Sequence, residues 1–418
     1  MILKKPLLLL FISVLLFLNT LLQAQKVDFT KVGVYNFSNA QLAVPIIVDG
    51  TWIRNNIFLC GYYWEEEYGV SYKKPWIGVF DQASGKLVYE KAWKSTGAFT
   101  KIIADEKSGT AIVATGGFGE TFIARFDTSL GDKGSYYSSG WTDNSYFQPI
   151  GKNGGYLSIR HEGDSNSDLT SFSKIYRFKL LYLDKNLKSV FESVYIDSLR
   201  IVTAMTDDYG TVIGVSRKND GNYEDLFYSH QMEIFTIGKE NNIQRKTIPW
   251  KFPTRTTGGI TSKLNVFFVH QIVQPSDKGT GIIANVAFHN TEGPYYEGEK
   301  SYTAYFYMSI DGTIQESSII KLVDPEKYKT ASNSAFLFSD KIILITYPQD
   351  ESGKELSVFD LSSKKIVFNT KMETRFPELK SCLVSNMGDI DDYGISAIFK
   401  DYDQYGSDAV AYYMMNLQ

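Results

Sequence analysis

The chain has 418 residues, a formal net charge of −4 at pH 7 and two cysteines, and 15% of its residues are aromatic. The acidic balance argues against nucleic acid as a partner, because binding to a phosphate backbone requires a basic face. Two cysteines are too few for a disulfide scaffold, and the many tyrosines and phenylalanines favour strands over helices.

The first 24 residues have the pattern of a secretory signal peptide. Two lysines precede an apolar run, Leu7 to Leu22, which is shorter than the about 20 residues of a membrane-spanning helix. We expect cleavage after Ala24, with an uncleaved anchor as the alternative. No second long apolar run follows, so we expect residues 25–418 to be exported, to the periplasm or the extracellular space, without membrane insertion.

Alternation of apolar and polar residues recurs along residues 25–418, and helical periodicity is absent. The predicted strands form repeating units, each with a first hairpin, a polar loop and a second hairpin. The clearest first turns share the sequence Asp-Asp-Tyr-Gly, at 207–210 and 391–394. Seven units follow one another with a mean period of about 57 residues, a little longer than common propeller repeats.

Seven four-stranded units predict an all-β, seven-bladed β-propeller in a single domain, residues 25–418, with six or eight blades as alternatives. The seventh unit ends one strand short, while Val27–Phe37 is an orphan strand ahead of the first unit. We expect this N-terminal strand to close the last blade, because closure removes an exposed edge. The chain resembles exported β-propeller repeat proteins in this architecture, without matching a named family.

The second hairpin of each unit contains a polar turn, and the clearest runs from Asp81 to Lys86. Its Asp-x-x-x-Gly-Lys sequence resembles the repeat of quinone-dependent propeller dehydrogenases. In that family a tryptophan follows the Gly-Lys pair, whereas Leu87, Val88 and Tyr89 follow it here. We therefore interpret the sequence as a turn, in which Asp bonds to its own backbone and Gly adopts positive φ. No quinone or other organic cofactor is expected.

The loops after the second strands are predicted to lie together on one face of the ring. Acidic residues outnumber basic ones there by about two to one, and tyrosines are frequent. Aromatic rings beside carboxylates suit sugars and equally suit a cationic peptide. These loops are 62–74, 116–121, 160–174, 216–231, 287–301, 347–355 and 400–408. The predicted ligand-binding residues are Tyr63, Trp64, Glu66, Tyr223, Tyr296, Tyr402 and Asp403.

Two of these loops contain partial calcium-binding patterns, at 164–168 and 401–408, where oxygen-bearing side chains alternate along the chain. Each pattern is incomplete, because Leu169 stands where glycine is wanted and Tyr405 replaces an oxygen ligand. Calcium is therefore an alternative to the prediction of no metal.

Two histidines, His161 and His289, occupy equivalent positions at the ends of second strands, but zinc usually requires three or four protein ligands. The sequence lacks a Gly-x-Ser-x-Gly elbow, a His-Glu-x-x-His helix and a Walker loop. Gly279–Ala284 fits Gly-x-Gly-x-x-Ala, but it opens a predicted strand and not a helix, so we expect no dinucleotide site. No catalytic residue is predicted.

Two functional hypotheses follow from the sequence. The first is an exported, monomeric, non-catalytic propeller that binds a glycan or a protein partner through the acidic, aromatic loops. The alternative is a polysaccharide lyase or hydrolase that uses carboxylates of the same loops, which would offer pairs at the roughly 5 to 10 Å separations of glycosidases. Cys60 and Cys382 both lie in apolar, strand-like contexts and are predicted to be buried thiols, with a disulfide between them as the open alternative.

Overall fold

The computed structural model describes most of the chain from residue 27 onward. The described residues form 27 β-strands and one short 3₁₀ turn, Glu316–Ser318, and contain no α-helix. The prediction of an all-β protein is therefore confirmed. The described residues are 27–36, 45–67, 69–94, 96–105, 107–150, 155–165, 172–206, 211–218, 230–237, 243–276, 279–290, 300–329, 334–338, 340–350, 352–353, 355–371, 384–387, 395–399 and 409–417.

The strands are numbered in chain order and are mostly short, as alternating sequence between frequent turns predicts. They are β1 Val27–Asn36, β2 Ile46–Ile53, β3 Asn56–Glu67, β4 Val70–Asp81, β5 Leu87–Ala92, β6 Ala98–Asp105, β7 Thr110–Phe126, β8 Asp132–Ile150, β9 Gly155–Ser165, β10 Phe172–Leu183, β11 Ser189–Tyr195, β12 Leu199–Thr206, β13 Thr211–Lys218, β14 Gln231–Ile237, β15 Ile243–Pro249, β16 Thr254–Thr257, β17 Ile260–Ser276, β18 Gly279–Asn290, β19 Tyr302–Ser309, β20 Ile320–Lys321, β21 Ser334–Phe338, β22 Lys341–Thr346, β23 Glu355–Asp360, β24 Lys365–Lys371, β25 Val384–Met387, β26 Ile395–Phe399 and β27 Ala409–Leu417.

Within the described part of the chain, these strands form six antiparallel sheets arranged around a common axis. The inner strands of neighbouring sheets contact one another, namely β25 with β2, β2 with β6, β8 with β12, β12 with β17, and β17 with β21. This ring of radial sheets is a β-propeller, which confirms the predicted fold. The sheets have the strand orders β2-β3-β4-β5, β6-β7-β8-β9-β10-β11, β12-β13-β14-β15, β16-β17-β18-β19-β20, β21-β22-β23-β24 and β25-β26-β27-β1.

The number of sheets differs by one from the seven predicted units because of the long strand β8. It pairs with β7 through residues 132–144 and with β9 through residues 143–150. The second and third predicted units therefore share one six-stranded sheet, whereas each of the other five sheets corresponds to a single unit. Six is one of the blade numbers that the sequence allowed.

The N-terminal strand closes the ring as predicted. β1 pairs antiparallel with β27 from Val27↔Leu417 to Asn36↔Ala409, with one irregularity after Lys31. The last sheet thus contains three strands from the C-terminal end of the chain and one from the N-terminal end. This pairing covers the edge that β27 would otherwise expose.

Aspartates build the polar turns of the second hairpins. Asp81 Oδ1 accepts hydrogen bonds from the backbone N–H and the hydroxyl of Ser84, at 2.8 and 2.7 Å, and Gly85 has a φ of 66°. Asp127 and Asp184 accept equivalent bonds from the backbone of their own turns. The Asp-to-Lys sequence that resembles the quinoprotein repeat is therefore a hairpin turn.

The hydrophobic core lies between neighbouring sheets. Phe58 and Val79 of the first sheet, for example, pack against Phe99, Val113 and Phe126 of the next, and burial of such apolar surface is the main stabilising term in folding. Among the described residues, no helix has the length and apolarity to cross a membrane. The predicted signal peptide, residues 1–24, lies outside the described residues.

Candidate functional site

The connections between second and third strands leave the ring at one face, which we call the loop face. Counted outward from the inner strands β2, β8, β12, β17, β21 and β25, the strands follow the order of the chain, with β1 added at the outer edge of the last sheet. Equivalent connections, each between the second and third strand of this count, therefore start from the same end of every sheet. They include the links from β3 to β4, β9 to β10, β13 to β14, β18 to β19, β22 to β23 and β26 to β27. Each of these links falls within a loop predicted from the sequence.

Four of the predicted ligand-binding residues lie outside the described residues: Tyr223, Tyr296, Tyr402 and Asp403. The same holds for the calcium pattern at 401–408 and for most of the pattern at 164–168. Among the described residues, no three His, Cys, Asp or Glu side chains are grouped as metal ligands. The predicted residues that the structure describes, Tyr63, Trp64 and Glu66, all lie on the hairpin of β3 and β4.

This hairpin extends beyond the neighbouring inner strand. β2 begins opposite Tyr62, with the pair Ile46↔Tyr62, whereas β3 and β4 continue to the pair Glu67↔Val70. Gly69 has a φ of 75° at the tip, a conformation that glycine adopts without steric cost. The outer part of the hairpin therefore projects from the loop face as a two-stranded arm.

One face of the arm carries aromatic, acidic, hydroxyl and basic groups together. Trp64 pairs with Lys73 and Glu66 pairs with Ser71, and directly opposed residues of an antiparallel pair point to the same face. Tyr62, two residues before Trp64, lies on this face too. We call these five residues, Tyr62, Trp64, Glu66, Ser71 and Lys73, the hairpin strip.

The two rings of the hairpin strip already hold a cation. Tyr62 and Trp64 meet edge to face with their centroids 5.7 Å apart, and Lys73 Nζ lies 4.8 Å from the Tyr62 centroid and 5.4 Å from the Trp64 centroid. Trp64 nevertheless remains 49% exposed. The strip thus presents an open indole beside an ammonium group and a carboxylate.

Tyr63 lies on the opposite face of the arm and does not join Trp64. Its ring packs against the apolar cluster that contains Ile47 and Trp76. On the same face, Lys74 is almost fully buried, donates to Lys94 O at 2.9 Å and lies 3.5 Å from Glu65. The ligand-binding residues predicted from the sequence include Tyr63 beside Trp64 and leave out Tyr62 and Lys73. The period-two alternation of a strand would have separated Tyr63 from Trp64 and placed Tyr62 with Trp64.

The described part of the loop face near β9 and β10 is less acidic than the sequence suggested, because its acids are paired with bases. Glu162 contacts both Arg177 and Lys179, and Arg160, which is fully buried, contacts Glu192. Burial raises the pKa of Glu162, but hydrogen bonds from Lys179 and Arg177 outweigh it and hold this pKa below its usual range.

The two equivalent histidines are buried and contribute to packing. His161 is fully buried, and its Nε2 accepts a hydrogen bond of 2.9 Å from the backbone N–H of Ile201 in the next sheet. His289 is 7% exposed and meets the ring of Phe267 edge to face, with 5.4 Å between centroids. These contacts fit polar packing between strands and sheets.

Comparison with known proteins identifies no family: no family model matches the sequence, and no curated protein gives a significant match. Several solved structures are similar in fold. The AfRom2 CNH domain has a TM-score of 0.46 and 7% identity, over 94% of this chain and 100% of that chain. The Dos1 propeller has a TM-score of 0.44 and 9% identity, over 92% and 95% of the two chains. The β-propeller domain of the trilobed protease from Pyrococcus furiosus has a TM-score of 0.41 and 9% identity, over 86% and 90%. Identities this low give no indication of ligand or activity.

Proposed function

We propose that this protein is a non-catalytic propeller that binds a glycan through the hairpin strip on its loop face. The exposed indole of Trp64 can stack on the C–H face of a sugar ring. Glu66, Ser71 and Lys73 stand beside it and can hydrogen-bond to hydroxyl groups. The projecting arm gives an extended glycan access to these groups from the solvent.

The position of Lys73 carries the choice of a glycan over a cationic peptide. Its ammonium group lies over both rings of the strip, so a second cation approaching Tyr62 or Trp64 meets like charge and a partly satisfied π face. A neutral sugar stacking on the outer side of the indole meets no such repulsion. The sequence alone left the two ligand classes equal.

Catalysis by carboxylates of the same face is the weaker candidate. A glycosidase acid needs a raised pKa, so that it carries a proton at neutral pH. Glu162 has a lowered pKa and two basic neighbours, which suits a structural ion pair. Assaying each bound polysaccharide for new reducing ends or unsaturated products tests the catalytic alternative directly.

A glycan array tests the proposal, with the Tyr62→Ala/Trp64→Ala double variant beside the wild-type chain. We expect binding to fall by about tenfold or more, because loss of a central aromatic contact costs about 1.4 kcal/mol or more. Tyr89→Ala is the matched control, since Tyr89 is a 46%-exposed tyrosine on β5 of the same sheet. Equal signals from the wild type and the double variant, or no signal from either chain, would contradict the proposal.

We also propose that the chain acts outside the cytoplasm after removal of residues 1–24. The support is the basic start and the apolar run Leu7–Leu22 of the sequence. Expression of the full chain followed by fractionation and N-terminal sequencing should give an exported protein that begins at Gln25. A chain that retains its first residues in the membrane fraction would indicate an anchor instead.

A further inference from the structure

A cleft of about 350 Å³ lies between the fourth sheet, β16–β20, and the fifth, β21–β24. It opens on the face opposite the loop face, because Asp340 lies in the connection from β21 to β22 and residues 361–364 connect β23 to β24. The volume is within the about 300 to 1,000 Å³ of small-ligand sites. Its lining includes Tyr305, Tyr307, Asp340, Ser362 and Lys364.

Two tyrosine rings of β19 form an aromatic wall of this cleft, and two glycines of β18 leave the space that these rings occupy. Tyr305 and Tyr307 are two residues apart and so lie on the same side of the strand. A Cβ atom added to Gly281 would lie 2.8 Å from the Tyr305 ring, and one added to Gly279 would lie 2.7 Å from the Tyr307 ring. Each ring therefore lies against glycine backbone, where any other residue would displace it.

This arrangement accounts for the Gly-x-Gly-x-x-Ala sequence at Gly279–Ala284, which lies in a strand and has no helix to bind a pyrophosphate. Its glycines provide the space for the tyrosine rings. Tyr305 also packs against the apolar cluster between the two sheets. This contact restrains the position of its ring.

The polar groups beside the aromatic wall carry no net charge. The cleft has one carboxylate, Asp340, and one ammonium group, Lys364. Asp340 already accepts a hydrogen bond of 2.9 Å from Lys341, which lowers its attraction for a cationic ligand. Ser362 is an exposed hydroxyl in the turn that opens onto the cleft. Aromatic rings beside neutral and mutually balanced polar groups suit a ligand that has both a C–H face and hydroxyls.

We propose that this cleft is a second carbohydrate site, which takes a neutral sugar ring between the two sheets. The ring stacks on the tyrosine wall, and its hydroxyls bond to Ser362, Lys364 and Asp340. The site shares no residue with the hairpin strip and lies on the other face of the propeller, so the two sites are independent.

Saturation-transfer NMR and calorimetry on the full chain test this site, with cellobiose and N-acetylglucosamine as neutral probes. Spermidine and inositol hexakisphosphate are the cationic and anionic comparators. We expect the neutral sugars to bind and the Ser362→Trp variant to lose at least about tenfold in affinity, because the indole fills the cleft from an exposed turn and leaves the core unchanged. Ser352→Trp, at an exposed position in the connection from β22 to β23 of the same sheet, is the matched control on the loop face.

The Tyr62→Ala/Trp64→Ala variant separates this site from the hairpin strip. It should leave the response of the cleft to the neutral probes unchanged, whether or not the strip binds a glycan. Absence of binding by both neutral sugars to the wild-type chain, or equal affinity in Ser362→Trp, would overturn the proposal. If spermidine or inositol hexakisphosphate binds more tightly than the neutral sugars, and Ser362→Trp abolishes that binding, the assignment of a neutral sugar as the ligand is wrong.

Discussion

Turn residues show where local sequence rules give way to packing. Among the described residues, Leu130 and Leu187 hold φ values of 58° and 63°, a conformation for which glycine or asparagine is expected. Both leucines are buried, at 7% and 1% exposure. Burying a leucine stabilises the fold by about 1.5 to 3 kcal/mol, which offsets the roughly 1 to 2 kcal/mol cost of the left-handed conformation. The positions of the turns were therefore predictable from their aspartates, whereas the left-handed conformation of these two leucines was not.

Asp360 should make stability depend on acid pH. Hydrogen bonds from Lys341 Nζ and from the backbone N–H of Ser363 lower the pKa of Asp360 to about 2. An unfolded aspartate titrates near 3.9, so this carboxylate stabilises the fold above about pH 4, and the contribution is lost as the pH falls toward 2. We expect Asp360→Asn to lower the free energy of unfolding at pH 7, and the difference from wild type to shrink between pH 4 and 2.

Urea unfolding at a series of pH values measures this difference. Asp340→Asn is the control, because Asp340 bonds to the same Lys341 but its side chain is 47% exposed, and exposed pairs contribute little. A difference between Asp360→Asn and wild type that stays constant from pH 7 to pH 2 would show that the ionised carboxylate has no such role.

At the scale of elements, the order of strands followed from the alternation and turn sequences, and the loop segments followed from that order. Two features were missed. β16 adds a fifth strand through a turn at Gly258–Gly259, and β8 continues from one unit into the next. Both features depend on which segments pair with each other and in which register. Local periodicity does not specify that pairing.

The closing strand β1 should be required for a stable ring. Its nine pairs with β27 each contribute about 0.2 to 1 kcal/mol, so a chain beginning at residue 38 should lose about 2 kcal/mol or more of its free energy of unfolding relative to one beginning at residue 26. The uncovered edge of β27 should also promote aggregation. Thermal unfolding and size-exclusion chromatography of the two chains measure these effects, and a peptide of residues 27–36 added in excess should reverse them. Identical behaviour of the two chains would contradict the role assigned to β1.

At the scale of the whole molecule, buried polar groups link one sheet to the next. Asp49 of β2 accepts hydrogen bonds from the backbone N–H groups of Gly50 and of Ile102 in β6, at 2.9 and 3.1 Å. Burial raises the pKa of Asp49, and Lys101 at 3.5 Å opposes that effect. His161 forms the corresponding link to Ile201. Such bonds satisfy inner-strand backbone that packing alone would leave unpaired.

Cys60 should report the opening of this ring. Its side chain is fully buried between the first two sheets and close to Asp49, and burial raises the pKa of the thiol well above the usual value. Thiol reagents attack the thiolate, so we expect Cys60 to resist DTNB in the native Cys382→Ser chain and to react fully in denaturant. Rapid labelling of the native chain would show that Cys60 is accessible.

The same assay on the wild-type chain tests whether Cys60 and Cys382 form a disulfide, which the sequence left open. Cys382 lies outside the described residues. In denaturant without reductant, two reactive thiols per chain would confirm a reduced pair, whereas none would show a Cys60–Cys382 disulfide.

The sequence by itself determined the strands, the repeating unit, the aspartate turns and the N-terminal strand that closes the ring, because alternation and turn chemistry are local properties. Only the tertiary structure decided that Tyr63 faces the core while Trp64 faces solvent beside Lys73. It also decided that Gly279 and Gly281 make room for two tyrosines at a cleft between sheets. These outcomes depend on contacts across strands and between sheets, and one-dimensional periodicity cannot specify such contacts.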